Sequence, residues 1–338
     1  MKKILVVATN WLGDALFLFP FLDNLKENLP QSELAVLSVP RIKDIFRNNL
    51  NLSEVIVYDE KGKHKGIIAR LIFAFNLRKK GFDTGFILRP SLSRACILKC
   101  AGIKQIIGFD NPKTKLLLTT RVPSTDKAIH KIDYFLSMLE FLGLKINKRR
   151  YEFLPSEEDK KYIESLLLKK NIVQDLPLLV INPGANWYPK RWLSDNFAEL
   201  IKRLKDNLAI NIAITGAQKD KGLAGQIIKA SGKEVFDFTG QTSLGQLAAL
   251  MQEADIVVSA DSGPMHIAAA VGKKLIALFG PTSAVITGPY PLGEHIIIQK
   301  EVGCKIPCYV KDCRDYHCMK AISVDEVFEK IEGILAIQ

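Results

Sequence analysis

Short, almost wholly apolar runs recur along this chain, and segments of helical period separate them. In the first half the runs are residues 4–8, 33–39, 54–58, 84–88 and 105–108. Helical patterns fall between them, at 14–28, 41–48 and 67–80. In the second half the runs are 178–182, 210–215, 235–237, 256–259, 275–278 and 294–299. Strands apolar on both faces, joined by helical crossovers, form parallel sheets covered by helices. Two such sets in tandem predict an α/β chain of two doubly wound, Rossmann-like domains.

A chain of 338 residues is long enough for two such cores. The boundary is expected near 149–160, giving domains 1–155 and 156–338. There Pro155-Ser156-Glu157-Glu158 opens a helix expected at 156–170. A last amphipathic helix is expected at 323–337, started by Ser323. The N-terminal apolar run breaks at Thr9-Asn10, and Asp14 follows with no small-residue cleavage site, so it reads as a first strand rather than a signal peptide. No run is long and apolar enough to span a bilayer. A cytoplasmic protein is expected.

Charge divides unevenly between the halves. Residues 1–150 hold 26 basic against 13 acidic side chains, and residues 151–338 hold 21 against 23. A basic first half recruits an anionic partner such as nucleic acid, acidic lipid or a phosphorylated substrate. No aromatic-rich basic stripe or helix-turn-helix pattern supports a nucleic-acid module, so nucleic acid is not an expected partner.

The turns after the strands carry the chemistry. Asp261-Ser262-Gly263-Pro264-Met265-His266 joins the run 256–259 to the helical pattern beginning at Ile267. Ser262 can cap that helix, Gly263 lets backbone approach a ligand, and the first-turn N–H groups with the helix dipole suit a diphosphate. His266 can add a donor. The same six residues also suit a plain capped corner. Asn182-Pro183-Gly184-Ala185-Asn186 leads from a strand end to the adjacent cations Lys190 and Arg191, a pair suited to phosphate. Thr215-Gly216, Thr239-Gly240-Gln241-Thr242 and Gly280-Pro281-Thr282 are small-residue turns after further strands. In the first half Asn10-Trp11-Leu12-Gly13-Asp14 follows the first strand with a single glycine, which is no dinucleotide fingerprint. Asp14 opens the next helix at the carboxyl edge of the sheet, where it can serve as a general base or simply as a cap.

Together these segments resemble glycosyltransferase family nine, the ADP-heptose:lipopolysaccharide heptosyltransferases, and within it the heptosyltransferase II type. The resemblance rests on Leu12-Gly13-Asp14, Pro183-Gly184-Ala185 before Lys190-Arg191-Trp192, Thr239-Gly240, the block 261–266, and Phe279-Gly280-Pro281-Thr282, in order over nearly the whole chain. It implies the GT-B architecture, two Rossmann-like domains facing across a cleft. It also implies inverting transfer without metal or cofactor. Asp14 would be the catalytic base. Asn186, Lys190, Asp261, Ser262, Gly263, Met265 and His266 would surround the donor phosphates, with Thr242 near the adenine. ADP-heptose would be the donor. An anionic lipid A core glycolipid would be the acceptor, met by the first domain at the cytoplasmic face of the inner membrane. Asn10, Gly13, Arg89 and Arg94 are the acceptor candidates, with Arg121 a weaker one, and a monomer is expected. Other readings are another GT-B sugar-nucleotide transferase or an epimerase and, outside enzymes, a nucleic-acid-binding module.

Cys304, Cys308, Cys313 and Cys318 form a C-x3-C-x4-C-x4-C cluster beside His317. It lacks the Cys-x2-Cys knuckle of common zinc sites. A reduced loop ranks before a zinc site, and disulfides last. Cys96 and Cys100, four apart on an apolar helix, are expected in the core.

Overall fold

The computed structural model describes residues 2–124, 128–173, 175–291, 293–310, 313 and 315–336. The chain forms two compact units, Met1–Tyr151 and Glu152–Gln338. The first contains strands β1 (Lys3–Val7), β2 (Glu33–Ser38), β3 (Glu54–Val57), β4 (Thr84–Ile87), β5 (Gln105–Phe109) and β6 (Thr120–Val122). Its helices are α1 (Leu12–Leu16), α2 (Phe19–Asn28), α3 (Ile67–Arg78), α4 (Leu92–Cys100) and α5 (Lys131–Phe141). The second contains β7 (Leu178–Asn182), β8 (Asn211–Ile214), β9 (Phe236–Asp237), β10 (Ile256–Ala260), β11 (Lys274–Phe279) and β12 (Ile296–Gln299). Its helices are α6 (Glu157–Lys169), α7 (Ser194–Asn207), α8 (Lys221–Ser231), α9 (Leu244–Glu253), α10 (Gly263–Ala270), α11 (Ala284–Thr287), α12 (His317–Lys320) and α13 (Val324–Leu335). Ile337, the expected end of the last helix, lies outside the described residues.

Among the described residues every strand pairing is parallel, and both sheets share one topology. The first runs β3-β2-β1-β4-β5-β6 and the second β12-β11-β10-β7-β8-β9. Each therefore reverses direction once, between β1 and β4 and between β7 and β10. The crevice outside the strand ends at such a reversal is where open α/β sheets bind ligands. In the second unit Ser259 lies opposite Asn182 across this reversal, which brings the turns after β7 and β10 together.

Both sheets are apolar because helices cover them. Every residue of β7 and β10 is buried. Helix α7 turns Phe197, Ala198, Leu200, Ile201 and Leu204 inward at the spacing of one helical face. Burying each of its large side chains contributes about 1.5–3 kcal/mol. They join α13 and the inner strands in one cluster that includes Trp192, Phe328 and Ile331. Helices α6 and α9 start on capping boxes, Ser156 with Asp159 and Ser243 with Gln246.

The structure departs from the sequence expectations in four places. The pattern 14–28 is two helices, α1 and α2. Pro20 sits in the first turn of α2, and within one continuous helix it would collide with the carbonyl of Leu16. The pattern 41–48 is a 3-10 stretch, Pro40–Phe46, that buries Ile42, Ile45 and Phe46. The edge strand β6 has three residues, too few for periodicity to reveal. Cys96 and Cys100 are exposed rather than in the core. Helix α4 instead buries Arg94, Ala95, Ile97 and Leu98. No helix among the described residues is long and apolar enough to cross a membrane.

Candidate functional site

In the second unit the turns after β7, β10 and β11 are tied to one another. Asn182 ends β7 and is buried. Its Nδ2 donates to Gly184 O and to Ser262 Oγ, each at 3.1 Å. Ser262 is the N-cap of α10 with extended backbone, but its side chain makes no capping bond. The hydroxyl is turned back to Asn182 instead. A helix leaves its first N–H groups without intrahelical partners, and Pro264 has none to offer. The backbone N–H groups of Ser262, Gly263 and Met265 are thus the donors this helix end supplies to an anion. The Met265 side chain is fully buried, so Met265 offers only backbone. His266 is buried in the same turn.

A cation is fixed beside this helix end. Lys190 Nζ lies 2.7 Å from Asp261 Oδ2. Asp261 is only 3% exposed, and the same oxygen accepts from the Thr282 hydroxyl. Three strand ends are joined through one carboxylate. Lys190 closes the 3-10 turn Tyr188–Lys190, which its neighbours anchor. Trp192 is buried and its Nε1 donates to Ile322 O at 3.0 Å. Arg191 Nε donates to Ala185 O at 2.9 Å and faces Asp220 at 3.8 Å. Gln299, which sequence reasoning missed, donates to Gly280 O and Thr282 O at 3.1 and 2.6 Å and shapes that turn.

The two remaining donor candidates stand at the margin. Asn186 is exposed, and its Oδ1 accepts from Lys219. Thr242 is half-buried in the turn before α9. Gly240 in that turn has φ +70°, and a Cβ there would stand 3.1 Å from Gln218 Cα, so glycine is favoured.

The cysteine segment packs behind the third turn. Cys308 N donates to Pro281 O at 2.7 Å. A Cβ at Gly280 would stand 3.3 Å from Cys318 Sγ. All four cysteines are free thiols, and Cys304 is exposed. Burial pushes the Cys318 thiol up, and Cys313 and Cys304 nearby add to the rise. Among the described residues, no group of three or more His, Cys, Asp or Glu side chains is placed to hold a metal ion.

In the first unit, Asp14 lies in the first turn of α1 and is 8% exposed. Its Oδ1 is 2.5 Å from Lys131 Nζ, at the start of α5. Lys131 is the partner sequence reasoning missed. It stands 117 residues away, and no local pattern marks it. Trp11 and Arg41 were missed too. The Arg41 guanidinium sits 4.4 Å over the Trp11 ring, and its Nε donates to Asn10 O at 2.6 Å. Gly13 is half-buried between Asn10 and Asp14.

The two arginines named for the acceptor part company. Arg89 is exposed after β4. Arg94 is buried, and burial pulls its guanidinium below its ordinary value. It donates to Ala8 O at 2.7 Å and to Asn10 Oδ1. Arg94 is thus turned inward to brace the loop carrying Asp14. Arg94→Leu would leave those acceptors unsatisfied. It is expected to cost about 1–3 kcal/mol in urea unfolding. It should also lower turnover through a loosened loop, with ADP affinity unchanged by calorimetry.

The model of glycosyltransferase family 9 (heptosyltransferase) matches residues 70–318. Lipooligosaccharide heptosyltransferase 2 of Campylobacter jejuni is 28% identical over 341 residues, covering 98% of this chain and 99% of that protein. Among solved structures, a family 9 glycosyl transferase from Veillonella parvula superposes with TM-score 0.89 at 23% identity, over 100% of this chain and 98% of that one. The ADP-heptose LPS heptosyltransferase II of E. coli superposes with TM-score 0.81 at 24% identity, over 99% of both chains. The paired doubly wound sheets are the GT-B architecture of these structures.

Proposed function

The chain belongs to glycosyltransferase family 9, and from that premise we propose that it transfers a heptose from ADP-heptose to the inner core of lipopolysaccharide. One observation carries the donor assignment. Lys190 is ion-paired with buried Asp261, the residue before the N-cap of α10, so a cation adjoins a helix N-terminus. A diphosphate, whose charge grows as it leaves, is the anion such a pairing suits. The full-length relatives named above, with their ADP-heptose and lipooligosaccharide names, support the sugar and the acceptor.

The reaction is then a single displacement. Asp14 takes the proton of an acceptor hydroxyl as its oxygen bonds to the anomeric carbon. The bond from that carbon to the β-phosphate oxygen breaks, ADP leaves with the electron pair, and the centre inverts. Lys190 and the first turn of α10 stabilise the charge on ADP. In this reading Lys190 and the helix end act where a metal ion would otherwise neutralise the leaving diphosphate. Asn10, Gly13 and exposed Arg89 serve the acceptor, and the basic first unit draws in its phosphates. The enzyme acts as a monomer against the cytoplasmic surface of the inner membrane.

The test offers ADP-, GDP- and UDP-sugars to truncated core glycolipids and reads products by mass spectrometry and NMR. ADP-heptose should yield one inverted heptoside, only with acceptor, and equally well in EDTA. Conversion of a sugar nucleotide without acceptor would indicate an epimerase. A product from another sugar nucleotide and none from ADP-heptose would overturn the donor.

A further inference from the structure

Helix α3 has two apolar faces, and only one is used by the fold. Phe73, Ala74 and Leu77 enter the core cluster with Tyr58 and Ile56. On the other side Ile67, Ile68, Leu71, Ile72 and Phe75 are between 54% and 77% exposed. At positions i, i+1, i+4, i+5 and i+8 they form one continuous strip. Single exposed apolar residues are ordinary, but a contiguous strip marks a contact surface.

Charge says which contact. Residues 61–80 contain seven basic side chains and no acidic one. Lys61, Lys63 and Lys65 are exposed just before the helix, and Arg78, Lys79 and Lys80 are exposed at its end. Lys79 Nζ lies 5.1 Å from the Phe75 ring centroid, so the positive charge adjoins the strip itself. Only Lys80 of these has an ion pair described, with Glu54. A second copy of this chain meeting the strip face to face would bring the same charges together. An anionic surface with an apolar interior complements both features.

We propose that α3 is the docking element for an anionic phospholipid bilayer, lying in the plane of the interface. The strip enters the boundary between headgroups and acyl chains while the flanking lysines meet lipid phosphates. Twelve residues rise about 18 Å, too short to cross a core of about 30 Å. The proposal deepens the reading above in one respect: the acceptor there is a membrane glycolipid.

The experiment floats the full chain with vesicles, without nucleotide or acceptor, so it does not depend on the sugar chemistry. The wild type should bind phosphatidylglycerol-rich vesicles and not phosphatidylcholine vesicles. Two variants, Ile68→Ser/Phe75→Ser and Lys61→Gln/Lys63→Gln/Lys65→Gln, change exposed positions and should melt like wild type. The lysine variant should lose on the order of 100-fold in partitioning, at roughly fivefold per charge. The strip variant should lose at least about tenfold. Both should keep wild-type kcat on saturating lipid-free core oligosaccharide. Unchanged partitioning of both variants would overturn the proposal. So would a wild-type dimer by light scattering that Phe75→Ser dissociates. Vesicle binding by a chain that transfers no heptose would sink the proposed reaction and leave this inference standing.

Discussion

Asp14→Asn is expected to lower kcat by about 10²–10⁴-fold and leave ADP affinity unchanged. The substitution keeps the shape of the side chain and removes both its basicity and its ion pair with Lys131 at the start of α5. Rate is measured with ADP-heptose and glycolipid, and ADP binding by calorimetry. A thermal melt separates loss of chemistry from loss of fold. Lys131→Met would leave Asp14, 8% exposed, without its cationic partner. It should therefore also lower kcat, through misplacement of the carboxylate. A kcat for Asp14→Asn within about threefold of wild type would assign the base elsewhere.

The second large effect concerns Lys190. Lys190→Met is expected to weaken ADP binding by about 10–100-fold, the scale of one charge-assisted hydrogen bond to phosphate. It should also destabilise the protein, because Asp261 is left buried with only Thr282 described as a donor to its side chain. The two losses can be told apart. In the double variant Lys190→Met/Asp261→Asn the buried charge is gone, so most of the stability should return. ADP affinity should stay low. Recovery of both together would reduce Lys190 to a counter-ion for Asp261 and move the diphosphate elsewhere.

Much of the fold is legible in the chain because parallel strands buried on both faces are written as unbroken apolar runs. The strand β7 and the helices α6 and α13 follow directly from such runs and their caps. Pairwise and facial information is harder to read. Asp14 is visible as the residue after a glycine turn, but Lys131 becomes its neighbour only when α5 packs beside α1. The residues Lys190, Asp261 and Thr282 stand out separately. Their meeting depends on strand order, since β7, β10 and β11 become adjacent only in the folded sheet. Arg94 reads as a free cation beside a serine turn, yet it faces inward because the β1–α1 loop needs its donors. Cys96 and Cys100 look like core residues until the face of α4 is known. Ser262 stands at the cap position, but no spacing rule foretells that Asn182 captures its hydroxyl.

The repeated strand order has a bearing on how such a chain can change over generations. Each unit closes its own core around its own sheet reversal, and the candidate base lies in one unit while the candidate diphosphate seat lies in the other. On the proposed assignment, substitutions in the loops after β1 and β4 would alter the acceptor side without repacking the candidate diphosphate seat. The reverse holds for the turns after β7, β10 and β11. What is given and what receives it would then be set by separately packed parts of the chain.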